Sequence, residues 1–303
     1  MAKRWLIGSC GVLLAAAVAV AIAVAGSGGG TSGHGILFVQ PRGDFAPIYL
    51  WRPGAAARRL GPADLWADGA PAWSPGGKSI AFSGQISSGG WDEANANDVY
   101  VMRANGTGVR QLTHDSEQAD GPFSETDPAW SPDGKEIVYE RAGILPNNRI
   151  ATISTASGRE RVLPIRGTVL AWGAPGIAYV TRDSPSIKLY DPRTRRSRVF
   201  VPSATRFSDL AWSPAGRLAV LEEPSPHHNS LVVYSRAGSE LARLRVKASI
   251  PVACVAWSPD GKRLLLVGHW GTANPRYRVW AAGLAGGGWR KLSPRSMPNC
   301  PVG

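Results

Sequence analysis

The sequence lacks the signatures of a common hydrolase. No G-x-S-x-G motif occurs in its 303 residues, so the nucleophile elbow of serine hydrolases is absent. Only 11 residues follow Leu292, where the last recognisable repeat ends, whereas even a small added catalytic domain needs about 50–100. We therefore expect a non-catalytic protein. The enzymatic alternative is an active site inside the repeat domain itself.

Cysteine is also scarce, with three residues in the whole chain. Cys10 does not suit lipid attachment, because only five residues separate it from Arg4 and a lipoprotein signal needs a longer apolar region before its cysteine. Cys254 and Cys300 remain as a candidate disulfide pair, provided that the chain resides in an oxidising compartment.

The N-terminal segment 1–25 predicts export. Lys3 and Arg4 precede an uncharged apolar run of 21 residues, 5–25, and about 20 suffice to span a bilayer. Ala23-Val24-Ala25 would also serve as a signal-peptidase site. Two interpretations stay open, an uncleaved anchor and a cleaved signal, and both place the rest of the chain outside the cytoplasm. The Gly- and Ser-rich stretch 26–35 is typical of a flexible linker.

From Ile36 onward the chain repeats itself. A hairpin of the form apolar run, Trp, four-residue turn, apolar run occurs five times, at 71–83, 128–140, 170–180, 210–221 and 255–267. The turn Ser131-Pro132-Asp133-Gly134 shows the expected chemistry, since Pro presets φ and Gly adopts the left-handed conformation. The five Trp residues recur about every 40 residues, a period typical of a β-propeller with four short strands per blade.

A second hairpin occurs six times, at 47–60, 98–112, 149–163, 186–200, 230–244 and 278–292. Since the first hairpin has only five copies, the sequence predicts a six-bladed, all-β propeller over 36–303 whose first blade lacks its innermost strand. The stretch 36–40 reads as the second strand of that blade. We expect the C-terminal tail 294–303 to fill the vacant place, because closure of the ring removes its exposed edges. Cys300 would then lie beside Cys254.

The repeat W-S-P-D-G-K-x-I-x-F followed by I-Y-V-M-x-x-x-G-x-x-x-x-L-T resembles the WD-like repeat of TolB-type propellers. The fullest copy is 71–113, and the resemblance covers about 36–294. It implies the propeller fold but not a function, since unrelated proteins share the repeat. TolB carries an α/β domain before its propeller, and we expect that domain to be absent here. Blade 4 departs from the pattern in its shorter turn, Gly173-Ala174-Pro175-Gly176.

The repeated Trp residues are interpreted as packing between blades, so function should lie where the copies differ. All the long irregular segments fall on one face, between second and third strands or between blades: 84–97, 114–127, 141–148, 222–229 and 268–276. We predict that this face binds a ligand or partner. Its candidate residues are Trp91, Asp92, Glu93, His114, Asp115, Asp120, His227, His228, His269 and Trp270.

No cofactor is expected, with calcium as the alternative. The segment 115–125 offers carboxylates, which calcium prefers, but it misses the spacing of an EF-hand loop by one residue. A zinc site formed by His227, His228 and His269 is disfavoured, because adjacent residues of an extended chain point to opposite sides.

Charge divides the chain into two halves. Residues 35–165 hold 12 basic and 15 acidic side chains, net −3, and residues 166–303 hold 20 and 7, net +13. Many of the basic residues fall on predicted outermost strands, where they discourage edge-to-edge pairing. A basic flank for anionic lipid or wall polymer is the alternative, and an exported protein is not expected to bind nucleic acid. The sequence thus predicts an exported binding or scaffolding module of the cell envelope. The alternatives are a lactonase- or lyase-like channel enzyme and a sensory ectodomain.

Overall fold

The computed structural model describes residues 35–40, 45–52, 55–86, 96–114, 124–142, 148–181, 184–202, 206–225, 228–247, 252–258, 260–270, 276–284 and 288–292. The predicted anchor or signal (1–25) and nearly all of the linker lie outside these residues. No helix within the described ranges is long and apolar enough to cross a membrane.

The described residues form 23 strands in six antiparallel sheets, each sheet built from strands consecutive in the chain. Blade 1 has three strands: β1 (Ile36–Val39), β2 (Ile48–Trp51) and β3 (Arg58–Leu60). Blade 2 has β4 (Leu65–Trp73), β5 (Ser79–Ile86), β6 (Asp98–Arg103) and β7 (Arg110–Gln111). Blade 3 has β8 (Ser124–Trp130), β9 (Glu136–Ala142), β10 (Arg149–Ser154) and β11 (Glu160–Arg166).

Blade 4 comprises β12 (Thr168–Gly173), β13 (Gly176–Thr181), β14 (Ser184–Asp191) and β15 (Arg196–Val201). Blade 5 comprises β16 (Arg206–Trp212), β17 (Leu218–Ser225), β18 (His228–Tyr234) and β19 (Glu240–Arg245). Blade 6 comprises β20 (Val252–Trp257), β21 (Arg263–Trp270), β22 (Arg276–Gly283) and β23 (Arg290–Lys291). The six-bladed, all-β architecture is therefore confirmed, and among the described residues blade 1 has three strands.

The core consists of layers between neighbouring blades. Alternate residues of a strand point to opposite faces of its sheet, so each blade packs on both neighbours. In β1, Leu37 faces a cluster shared with blade 2, whereas Phe38 faces a cluster shared with blade 6. The same arrangement recurs at every boundary around the ring. The contact between blades 6 and 1 closes the ring, and buried Cys254 lies in that contact.

The repeated hairpin turns adopt the predicted chemistry. Ser131 Oγ and the Lys135 N–H both donate to the Asp133 carboxylate, at 2.7 and 3.1 Å. Gly134 has a φ of 71°, the left-handed conformation that this position requires. Its N–H donates to the Ser131 carbonyl and so closes the turn.

The repeated Trp side chains lie between blades, as predicted. Trp73 donates its indole N–H to the Gly35 carbonyl at 3.2 Å, and Trp257 donates to the Ala211 carbonyl at 3.0 Å. In each pair the acceptor belongs to the preceding blade. A hydrogen bond of this kind anchors one blade to the next while the ring system fills the space between them.

The outermost strands of blades 4 and 5 carry the predicted basic side chains. Arg196, Arg198 and Arg245 are exposed, which suits protection of a sheet edge. Arg243 is different, because it forms ion pairs with Glu222 at 2.7 Å and with Glu240 at 2.8 Å. Its charge is therefore neutralised within blade 5.

Candidate functional site

The innermost strands share an irregularity in the segment that precedes the repeated Trp. Each of the five four-stranded blades has a register shift there, located at 68–72 in β4, 126–129 in β8, 169–171 in β12, 207–209 in β16 and 252–254 in β20. A β-bulge redirects side chains and leaves backbone groups unpaired. Because inner strands begin at the blade-to-blade connections, the bulges lie toward the loop-bearing face, around the mouth of the central channel.

Three aspartates occupy these bulges, and we call Asp68, Asp127 and Asp209 the channel carboxylates. Asp127 and Asp209 stand three residues before the repeated Trp of blades 3 and 5. All three are partly exposed, although protein atoms surround most of each carboxylate. Each channel carboxylate is therefore largely desolvated but still accessible to water in the channel.

Asp209 connects blade 5 to blade 6. One carboxylate oxygen accepts the N–H of Val255 on β20 at 2.7 Å, and the other accepts the N–H of Leu210 at 2.8 Å. Burial raises the pKa of Asp209 to about 7, although these two hydrogen bonds oppose the rise. The negative charge of Asp127 is a smaller contribution to the same rise, so the carboxylates of blades 3 and 5 interact electrostatically.

Asp127 reaches in the other direction, toward blade 2, where its carboxylate accepts the N–H of Ala70. Burial, and then the charge of Asp68, raise the pKa of Asp127 to about 6. Its φ of 53° lies in the left-handed region, which costs about 1 kcal/mol or more for a residue other than glycine. Gly69 permits the approach, because a Cβ there would lie 3.0 Å from the Asp127 Oδ1.

Asp68 is held by Asn97. The Asn97 Nδ2 donates to the Asp68 Oδ2 at 2.7 Å, and Ser83 Oγ donates to the Asp68 main-chain carbonyl at 2.7 Å. Burial raises the pKa of the Asp68 carboxyl. Asn97 is only 7% exposed, and its Oδ1 has no hydrogen-bond partner among the described residues. An unmatched buried acceptor thus lies beside the carboxylate.

No cation compensates these charges within the described part of the chain. None of the ion pairs found there includes a channel carboxylate, and no basic side chain contributes to their pKa shifts. The cluster is notable because the chain as a whole has a net charge of +12. Strained, desolvated carboxylates with raised pKa values are typical of functional sites.

A second polar cluster differs in that it contains a guanidinium beside its carboxylates. Glu125, which is fully buried, lies 3.8 Å from the Arg141 guanidinium and 3.2 Å from Thr113 Oγ1. Thr113 also contacts Asp98 at 3.0 Å, and Arg141 pairs with Glu160 at 2.8 Å. This network links blades 2 and 3, and we interpret it as structural.

The sequence-predicted site residues are only partly described. Trp91, Asp92, Glu93, Asp115, Asp120 and His227 lie outside the described residues. His114 is exposed and follows the outermost strand of blade 2. His228 begins β18, and His269 and Trp270 end β21, so these three belong to strands. The expected long loops at 222–229 and 268–276 are correspondingly shorter, because β17 extends to Ser225 and β22 begins at Arg276.

The described residues contain no group of His, Cys, Asp and Glu that could hold a metal ion. The calcium candidate at 115–125 lies mostly outside them. The channel carboxylates come from three blades and do not converge on one point closely enough to form such a group.

The sequence interpretation missed the channel carboxylates. It favours the long loops as the binding site, because copies of the repeat differ most there. The signal was nevertheless present inside the repeats, since Asp127 and Asp209 occupy a position where blades 2, 4 and 6 have Ala70, Val169 and Cys254.

Comparison with solved structures identifies the architecture. TolB from Acinetobacter baumannii superposes with a TM-score of 0.66 at 14% identity, covering 84% of this chain and 62% of that one. The fold is that of a TolB-like propeller. A putative gluconolactonase (TM-score 0.58, 12% identity, 92% and 95% coverage) and a chain of a nidogen/laminin complex (0.61, 15%, 87% and 94%) are also similar. At these identities the likeness shows the fold alone.

Comparison of sequences adds little information beyond this TolB-like fold. No protein-family model matches the chain. An uncharacterized peptidase of Bacillus subtilis (strain 168), YuxL, is 35% identical over 68 residues, which is 22% of this chain and 8% of that protein. The chain thus matches only a small part of this relative. Neither its activity nor that of the structural neighbours transfers on this basis.

Proposed function

We propose that this protein is a non-catalytic, extracytoplasmic binding module of the cell envelope, either tethered through residues 5–25 or released from the membrane. Its loop-bearing face receives a ligand or an envelope protein, and the mouth of the channel anchors what is bound. TolB and a chain of a nidogen/laminin complex share the architecture.

The observation that carries this proposal is the set of channel carboxylates, which have no cation beside them among the described residues. Their raised pKa values mean that ionised Asp127 and Asp209 lower the free energy of unfolding at neutral pH. Folding does not require carboxylates there, since blades 2, 4 and 6 have Ala70, Val169 and Cys254 at the equivalent position. Binding is the function that such a site supports best.

Capture of partners from envelope extracts tests the proposal. The full chain and its D127N/D209N variant serve as baits, with recovery quantified after crosslinking. A matched control is D191N/D260N, which removes two charges from hairpin turns on the opposite face and keeps the turn hydrogen bonds, since Asn suits these positions. We expect the same specific partner or ligand with the wild type and the control but not with D127N/D209N. Equal recovery by all three would refute the proposed site.

A channel enzyme is the second candidate, because the pKa values of Asp127 and Asp209, about 6 and 7, suit general acid–base catalysis near neutral pH. A putative gluconolactonase shares the fold. Turnover of lactones or uronide oligomers that D209N abolishes and D191N leaves intact would favour this alternative over the binding module.

A further inference from the structure

We propose that the channel mouth selects a cationic nitrogen group, a primary ammonium or a guanidinium, which lies between Asp127 and Asp209 and donates to Asn97 Oδ1. This inference rests on the proposed binding function and specifies its chemistry. The group belongs to a free small amine or to a Lys or Arg side chain of a bound protein, and the experiment below separates these two sources.

The first argument is charge. Asp127, which accepts the Ala70 N–H, and Asp209, which accepts the Val255 N–H, interact electrostatically, and Asp68 adds a third negative charge beside Asp127. In a partly desolvated site such charges attract a cation much more strongly than they would in water. A bound cation would also offset the burial and the mutual repulsion that raise the pKa values of Asp127 and Asp209.

The second argument is the number and direction of acceptors. Both Asp209 oxygens already accept one backbone N–H each, and carboxylate oxygens have further lone pairs to offer. An ammonium has three N–H donors and a guanidinium has five, so either group can satisfy acceptors that stand on different blades. A metal ion instead needs oxygen atoms converging on one centre, and the described residues provide no such group.

The third argument is Asn97. Its Nδ2 is committed to Asp68 at 2.7 Å, and its Oδ1 has no partner within the described structure although the residue is 7% exposed. A buried acceptor without a partner costs about 1–3 kcal/mol unless a ligand or water supplies a donor. An N–H of a cationic ligand would supply that donor next to the carboxylates.

A purely structural explanation would assign Asp127 and Asp209 to capping the N–H groups of Ala70 and Val255. That role accounts for both oxygens of Asp209, which accept the N–H groups of Val255 and Leu210, and for one hydrogen bond of Asp127. It does not account for Asn97 Oδ1, nor for the use of a charged side chain at a position where Val169 and Cys254 serve in the other blades. The arrangement as a whole is therefore better explained by a ligand.

Calorimetric titration of the full-length protein at pH 8 tests the inference. The probes are N-acetyl-arginine amide, N-acetyl-lysine amide and agmatine, with N-acetyl-citrulline amide as the neutral isostere of arginine. We expect the cationic probes to bind about tenfold or more tightly than citrulline, since hydrogen bonds to charged groups contribute more than neutral ones. D127N/D209N should lose this preference, D191N/D260N should keep it, and D209E should retain part of it.

The probes also separate the two sources of the cation. Preference for agmatine over the blocked amino acids indicates a free amine, and the reverse preference indicates a protein side chain. Citrulline binding as tightly as arginine, or D127N/D209N binding like the wild type in a folded state verified by thermal unfolding, would overturn the inference. Calcium or manganese displacing the cationic probes at an equimolar ratio would also overturn it. If a partner is captured but arginine amide does not compete, this inference fails while the binding function stands.

Discussion

Trp130 donates its indole N–H to the main-chain carbonyl of Ala72, 3.0 Å away, and so connects the innermost strand of blade 3 to that of blade 2. The same bond recurs between Trp73 and Gly35 and between Trp257 and Ala211. Trp212 differs from these three, because its buried Nε1 atom has no hydrogen-bond partner among the described residues. The repeat thus contains a matched pair of Trp residues, one bonded and one not.

This pair gives the first prediction. W130F should lower the free energy of unfolding by about 1–2 kcal/mol more than W212F does, because only Trp130 loses a hydrogen bond and leaves the Ala72 carbonyl without its donor. Both changes remove similar apolar area, so the difference isolates the bond. Urea unfolding followed by tryptophan fluorescence measures it. Equal losses in the two variants would show that the indole N–H contributes nothing beyond packing.

Gly173 carries the second prediction. Blade 4 has a shorter hairpin, and a Cβ at Gly173 would lie 2.4 Å from the Trp212 Cγ. G173A should therefore destabilise the protein by about 2 kcal/mol or more, since the indole has to move out of its packed position. G158A is the control, because Gly158 lies in an exposed turn with nothing within 4 Å of an added Cβ, although its positive φ carries a smaller cost. A loss in G173A no larger than in G158A would contradict the steric argument.

The fold could be predicted because its determinants are local and repeated. Turns such as Ser131-Pro132-Asp133-Gly134 and a Trp about every 40 residues specify strand, turn and blade in the sequence itself. Counting hairpins also predicts that residues 36–60 supply three strands of blade 1, as the structure shows. The loops of blades 5 and 6 were overestimated because β17 and β21 continue past the apolar residues into Glu223 and His269, where polarity suggested loop.

The candidate site could not be predicted in the same way. Asp127 and Asp209 are in the repeat, but their proximity depends on ring closure and on bulges that no local pattern reports. Asn97 meets Asp68 across 29 residues of sequence. Polar residues in loops are easy to identify as site candidates. Polar residues inside a strand pattern are not, because they look like the solvent-facing positions of a half-buried strand.

The channel carboxylates give the third prediction, on pH. In the folded protein the pKa values of Asp127 and Asp209 are about 6 and 7, above the ordinary value of 3.8. Between about pH 4 and 7 the folded state therefore binds more protons than the unfolded state, so these groups lower the free energy of unfolding as pH rises. At pH 8 the free energy of unfolding of D209N should therefore exceed that of the wild type by roughly 1–2 kcal/mol. This is less than the full pKa shift implies, because channel water screens the charge of Asp209.

Other carboxylates raise the free energy of unfolding as pH rises, so the pH dependence of the wild type alone does not isolate the effect of Asp209. Hydrogen bonds in the hairpin turns lower the pKa values of Asp133, Asp191 and Asp260, and their contribution is lost as pH falls. The difference between D209N and the wild type, measured by chemical denaturation from pH 4 to 8, removes these shared terms. A difference that stays constant across this range would contradict the raised pKa of Asp209.

The fourth prediction concerns closure of the ring. Among the described residues β1 pairs only with β2, and Cys254 on the neighbouring inner strand is packed against Ile36 and Phe38 of blade 1. We predict that the tail 294–303 completes blade 1 and that Cys300 forms a disulfide with Cys254. The bond would close a loop of about 47 residues and stabilise the fold by about 4 kcal/mol.

Mass spectrometry after alkylation without reductant should find neither thiol modified in the exported protein. Truncation after Leu292 should destabilise the protein more than C300S does, because it removes the strand as well as the bond. Two alkylated thiols in the folded protein would refute the disulfide, and a truncated chain as stable as C300S would refute closure by the tail.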